Sequence, residues 1–136
     1  MSNPAYSIQL EDAPKMEDVQ AVNEGLAAYN RRFAPGDGYQ ALTIFLRATD
    51  GKLVGGLLGQ TYWGWLHLDI LWLDDSVHRL GYGSRMLAAA EAVRRGCRHA
   101  RLDTLSFQAL DFYLKLGYSV YGVLDDLPPG HQRYFL

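Results

Sequence analysis

Cysteine is almost absent from this chain. Cys97 stands alone among 136 residues, which excludes an internal disulfide and a cysteine-based zinc cluster. A lone thiol fits a reducing compartment. No apolar run nears the ~18 residues needed to cross a bilayer. Met1 to Glu11 carries neither a positive region nor an apolar stretch, so no secretory signal is expected. A charge excess is lacking too. The 13 basic and 15 acidic residues leave a net charge of −2, with no overall pull toward nucleic acid or an anionic membrane. Repeats, low-complexity tracts and a linker long enough to divide domains are also missing. The expectation is one domain over residues 1–136, soluble and cytoplasmic, a monomer or a small oligomer such as a homodimer. Nothing in the pattern suggests a metal.

What is there is enough apolar material for a core, at 49% hydrophobic and 21% charged residues. Ser7 to Leu10 has the alternation of a short first strand. Met16, Val19, Val22, Leu26 and Tyr29 lie near helical spacing and predict a helix over Met16 to Asn30, with Pro14 just before it. Pro35-Gly36-Asp37-Gly38 breaks the chain. A meander follows. Ala41 to Ala48 is one strand, Asp50-Gly51 its hairpin turn, and Lys52 to Gln60 the second strand. Trp63-Gly64 turns into a third strand, Trp65 to Leu73. Strict alternation puts His67, Asp69, Leu71 and Leu73 on one face of it, and Leu66, Leu68, Ile70 and Trp72 on the other.

The period then changes. Ser84 to Arg95 is rich in Ala, Leu and Met and predicts a helix ending at Gly96, with Arg94 and Arg95 in its last turn. Ala100 to Leu105 predicts a strand. Ala109, Phe112, Tyr113 and Leu116 make one helix face, closed by Gly117. Ser119 to Leu124 and His131 to Leu136 are the last two strands, separated by Pro128-Pro129-Gly130. The order is mixed α/β. The strand–helix–strand unit from Trp65 to Leu105 should be parallel with a right-handed crossover.

The stretch His78-Arg79-Leu80-Gly81-Tyr82-Gly83-Ser84 is the most informative. It leads from a strand into a helix through two glycines. The first amides of a helix lack intrahelical partners and carry partial positive charge. Glycine lets a ligand approach that backbone. The result suits an anion such as a pyrophosphate, with His78, Arg79 and Arg85 as nearby donors. Gly-x-Gly alone is better described as a tight turn with no ligand. A P-loop would need a Gly-Lys-Ser/Thr ending. A dinucleotide fingerprint would need a small residue where Met86 sits.

This turn resembles motif A of the GNAT acetyltransferases, Arg/Gln-x-x-Gly-x-Gly/Ala after a strand. Downstream, Ser106-Phe107-Gln108-Ala109-Leu110-Asp111-Phe112-Tyr113-Leu114-Lys115-Leu116-Gly117-Tyr118 is similar to motif B, Asn-x-x-Ala-x-x-Leu/Phe-Tyr-x-Lys-Leu-Gly-Phe/Tyr. The resemblance covers residues 40 to 136 well and the first 40 only in pattern. His78 replaces the usual Arg or Gln, and Ser106 the usual Asn. The resemblance implies the GNAT fold: a mostly antiparallel sheet with one parallel strand pair, flanked by helices. It also implies acetyl-CoA as cofactor, with CoA as product. The pyrophosphate would lie on His78, Arg79, Leu80, Gly81, Tyr82, Gly83 and Ser84. The pantetheine arm would lie along Leu71, Trp72 and Leu73, near Ser106 and Phe112.

Acetyl transfer to an amine needs a proton acceptor, a stabilised carbonyl oxygen and a donor for the departing thiolate. By the resemblance, Tyr113 is that donor; its helix face offers a core aromatic as the plain alternative. His67 falls where some members place a glutamate base, and a histidine can accept a proton at neutral pH. A half-exposed strand histidine is the plain alternative. Asp69 would orient His67 or act through water. Glu24, Asn30, Trp65 and Asp103 are the expected acceptor-binding residues, with Tyr39, Asp125, Asp126 and His131 also in the region of the acceptor pocket. A small-molecule primary amine is the expected substrate, attacked directly in a ternary complex. A non-catalytic acyl-CoA sensor or partner-binding module is the alternative. A nucleic-acid partner is disfavoured by the charge balance.

Overall fold

The computed structural model describes residues 5–93 and 95–136. The described residues up to Gly36 form one compact unit and Asp37–Leu136 a second. The first unit holds helix α1, Met16–Asn30, with the predicted boundaries. Ser7 to Leu10 is irregular, not a strand. Its alternation is right, but a strand exists only where a ladder partner takes its backbone groups, and four residues cannot reveal a partner.

The second unit contains β1 Gln40–Arg47, β2 Leu53–Tyr62, β3 Trp65–Leu73, a short 3-10 turn Asp75–Val77, α2 Tyr82–Val93, β4 His99–Leu105, α3 Leu110–Lys115, β5 Gly122–Asp125 and β6 Gln132–Phe135. The strands form a six-stranded sheet in the order β1-β2-β3-β4-β6-β5. Only β3 and β4 run parallel; every other neighbouring pair is antiparallel. The predicted mixed sheet with one parallel pair is therefore present. Among the described residues no helix is long and apolar enough to cross a membrane.

The hairpins form where the turn chemistry placed them. Gly51 has φ 87°, and Asp50 accepts from the Lys52 amide at 2.9 Å. Trp63 and Gly64 both take positive φ, 45° and 77°, the pair of left-handed residues that matches the twist of two-residue hairpins. One face of the sheet carries the core. Leu42, Leu57, Leu66, Leu68 and Leu102 meet Met86, Leu87 and Ala90 of α2, Tyr113 of α3, and Leu136.

Three details differ from the sequence reading. α2 begins at Tyr82 and ends at Val93, because Arg95 and Gly96 both adopt left-handed conformations. Arg95 therefore leaves the helix, and its guanidinium caps the carbonyls of Gln40 (3.1 Å) and Ala41 (3.0 Å). Arg94 lies outside the described residues. β5 starts at Gly122 rather than Ser119. The third difference bears on the site. Strict alternation along β3 fails, since Leu58 pairs with Ile70 but Gly59 pairs with Leu68. Asp69 is the extra residue of a β-bulge. The bulge reverses the parity, so Leu71 and Leu73 pack on the core with Leu66 and Leu68, while Ile70 and Trp72 stay exposed.

Gly59 is what the bulge leans on. A Cβ there would lie 2.3 Å from the His67 carbonyl oxygen. Gly59→Ala is therefore expected to destabilise the protein by about 2 kcal/mol or more, in the range of backbone-clash substitutions. Urea denaturation measures it; a loss below about 0.5 kcal/mol, typical of a neutral surface change, would contradict the bulge geometry.

Candidate active site

β3 and β4 lie side by side only from Trp65–Leu68 against His99–Leu102. Beyond that row β4 pairs with β6, through Asp103–Leu105. The last residues of β3 keep β2 on one side and have no strand on the other among the described residues. The parallel pair thus opens toward the C-terminal end of β3. Ladder groups along Ile70 to Leu73 on that side are left for another partner.

The glycine turn stands at this end. Asp74 caps the 3-10 turn, accepting from the Ser76 amide at 3.1 Å and from the Ser76 hydroxyl. Those two donors hold its carboxyl below the usual range. His78 then reaches back: its Nε2 lies 2.8 Å from the Leu73 carbonyl oxygen and donates to it. The side chain at the Arg/Gln position of the motif is thus a clasp between the strand end and the turn. It removes Leu73 O from the free ladder groups. Sequence spacing alone could not show this, because the bond spans an irregular loop.

Arg79 and Gly81 have φ 62° and 83°, and they swing the chain into α2. The first amides of α2, Gly81 to Ser84, then have no carbonyl within the helix. Gly81 is exposed, and a Cβ there would meet open space; its positive φ is what demands glycine. Gly83 is different. It is buried, and its Cβ would lie 3.3 Å from the Phe112 ring and 3.6 Å from the Leu73 side chain. Gly83 is small so that motif B can pack on motif A.

That contact fixes α3. Tyr113 is buried beside Phe112, with ring centroids 5.1 Å apart, and beside Tyr118 at 6.0 Å. Burial raises its phenol above the ordinary tyrosine value, so it stays a proton donor throughout the neutral range. Ser106 is engaged elsewhere. Its hydroxyl accepts from the Gln132 amide at 3.2 Å and faces His131 Nδ1 at 3.3 Å. It ties the end of β4 to the last hairpin. Gln108, which the sequence reading passed over, accepts from the Leu105 amide at 2.8 Å and from Thr104 at 3.2 Å, and so shapes the loop into α3.

Residues 4–118 match the model of the acetyltransferase (GNAT) family. The chain belongs to that family. It is 36% identical over 130 residues to an acetyltransferase of Agrobacterium fabrum, covering 93% of this chain and 94% of that one. It is 43% identical over 89 residues to blasticidin-S acetyltransferase of Streptomyces morookaense, covering 63% of this chain and 65% of that one, so the match spans just under two thirds of that relative's length. An acetyltransferase structure from Bacillus cereus is 35% identical with TM-score 0.82, over 94% of each chain. A structure described as a putative acetyltransferase from Agrobacterium tumefaciens is 31% identical with TM-score 0.88, over 96% of this chain and 97% of that one.

Within this GNAT fold, His67 and Asp69 do come together. His67 Nε2 lies 2.8 Å from Asp69 Oδ1. The alternation holds as far as Asp69, so the two share the face turned away from the core; the parity reverses only after it. His67 Nδ1 is buried with no partner among the described residues. Asp103 stands one step beyond the last β3–β4 pair and pairs with Arg133 at 3.6 Å. Trp65 is not near the opening. It stacks on His99 at 4.6 Å at the start of β3, roughly 26 Å from Leu73 at ~3.3 Å per residue. There it lines a cavity of about 460 Å³ with Glu91, Tyr118 and Tyr121. Glu24 and Asn30 lie on α1, in the first unit.

The packing of Gly83 on Phe112 can be tested by itself. Gly83→Val should lose about 1–3 kcal/mol, as overpacked positions do. In the Gly83→Val/Phe112→Ala double variant the two losses should sum to more than the combined loss, by at least about 0.5 kcal/mol. Strict additivity in urea melts would contradict the contact.

Proposed function

We propose that this chain is an N-acetyltransferase that moves the acetyl group of acetyl-CoA to a primary amine of a small molecule, by direct attack with both substrates bound. The observation that supports it most is the opening between β3 and β4 with the unpaired amides of α2 at its mouth. A pyrophosphate fits there chemically: Gly81 is exposed and free of a side chain, and Arg79 and Arg85 stand in the same turn. The GNAT relatives support the same cofactor. The solved Bacillus anthracis protein described as a streptothricin acetyltransferase, 18% identical, holds acetyl coenzyme A. The Streptomyces relative named for blasticidin S supports a small-molecule acceptor.

The chain's own groups divide the work. When bound, acetyl-CoA supplies a thioester and a thiol leaving group. Amides of Gly81, Tyr82, Gly83 and Ser84 hold its pyrophosphate, helped by the positive end of α2. Ladder groups of Leu71 and the Leu73 N–H take the pantetheine arm, and an N–H there polarises the acetyl carbonyl. Leu73 and Phe112 form the apolar wall beside Gly83. Ser106 and His78 position the two ends of the site through the bonds described above.

Proton transfer falls to two residues. An ionised Asp69 accepts from His67 Nε2–H, which leaves the lone pair on Nδ1. That nitrogen takes, directly or through water, the proton that the acceptor's ammonium group must lose before its nitrogen can attack. Tyr113 donates toward the departing sulfur; its hydroxyl makes no hydrogen bond among the described residues, so it is free to do so.

Release of free thiol from acetyl-CoA, measured across a panel of primary amines that includes blasticidin S, tests the reading. Turnover with at least one amine is expected. Tyr113→Phe should cut kcat by about 10²-fold, within the usual range for general acids, and leave KM for acetyl-CoA within about twofold, since an acid acting only in the transition state adds little to ground-state binding. Tight acetyl-CoA binding without turnover of any amine would instead favour a sensor.

A further inference from the structure

The face of the sheet that carries His67 also carries Arg101. The register places Arg101 of β4 directly beside His67, with Gln60 of β2 on its other side. Side-by-side residues of neighbouring strands point to the same face, about 4.8 Å apart. The row lies one step before the β3–β4 pair opens.

Every carboxylate close to this row on β3 and β4 is already committed. Asp69 pairs with His67, and Asp103 pairs with Arg133. Arg101 makes no salt bridge among the described residues. It is half-buried. What holds it is neutral: its Nη2 donates to the Tyr62 hydroxyl, and its guanidinium carbon lies 5.8 Å from the centre of the Tyr62 ring. A guanidinium has five N–H donors in a rigid fork suited to a carboxylate. One is used here, so the fork retains both charge and spare donors.

A half-buried cation without a counter-ion is costly unless something else supplies the negative charge. The tyrosine clamp fixes where it waits. The neighbouring His67 Nδ1 lacks a partner as well. We infer that Arg101 binds a carboxylate of the acceptor, so that the substrate is an amine that also carries a carboxylate, its amino group at His67 and its acid group at Arg101. This rests on the acetyl-transfer reading above and names the class of its acceptor.

Matched acceptors test it: lysine against cadaverine, β-alanine against propylamine, and each acid against its carboxamide. Turnover and calorimetric binding in the presence of CoA are both read. The carboxylate member should win by at least about tenfold in kcat/KM or in Kd, the scale of a charge-assisted bond. Arg101→Met should bring the ratio near unity with KM for acetyl-CoA unchanged, and Arg101→Lys should restore part of it. Tyr62→Phe, which keeps the cation, should preserve the preference and covers the case in which Arg101→Met fails to fold. Equal treatment of acid and amide by the wild type would overturn the inference, as would a preference that survives Arg101→Met. Carboxylate-selective binding without turnover would keep the anion site and refute the transfer reading instead.

Discussion

The rest of the site depends on β3 and β4 parting part-way along their shared ladder. Up to Leu68 and Leu102 the parallel ladder holds β3 and β4 together. Past that row β4 keeps its other neighbour, bonded on its opposite edge from Leu102 onward, while its β3 side is left open. Unpaired backbone in a folded interior is expensive, so such a gap persists only when something holds its walls apart. Here the bulge at Asp69 bends β3, the His78 imidazole caps Leu73 O, and Ser106 fastens β4 to the C-terminal hairpin. Each bond looks minor alone. Together they keep a slot open between two strands that would otherwise zip shut.

The same constraint explains why small residues stand where they do. Gly59 leaves room for the His67 carbonyl, and Gly83 leaves room for Phe112. Gly81 instead faces outward and is required by its positive φ. Two glycines that look alike in the sequence therefore have different duties. Gly81 supplies the left-handed residue of the turn and leaves its outer side bare, and Gly83 locks motif A to motif B.

Much of this was legible in the residues. Local signals sufficed for the hairpins at Asp50-Gly51 and Trp63-Gly64, for α1 and for β3, because turn chemistry and periodicity act within a few positions. The two family motifs located the glycine turn and Tyr113. What escaped was non-local. The bulge at Asp69 depends on the register with β2, so strict alternation misplaced Leu71 and Leu73. Ser7 to Leu10 had strand periodicity without a ladder. The left-handed turn at Arg95 and Gly96 shortened α2 and sent Arg95 to the carbonyls of β1. Arg101 carried no signal at all until its row with His67 was known. Trp65, chosen for the acceptor, proved to lie at the other end of its strand.

The central claim is that acetyl-CoA binds at the opened end of the sheet, on the backbone of α2 and β3. Amide proton–nitrogen correlation spectra recorded during an acetyl-CoA titration test it most directly. The largest shifts are expected at Gly81 to Ser84 and at Ile70 to Leu73. Unmoved amides there, with the main shifts around Trp65, Arg98 and His99 at the opposite end of the strands, would contradict it.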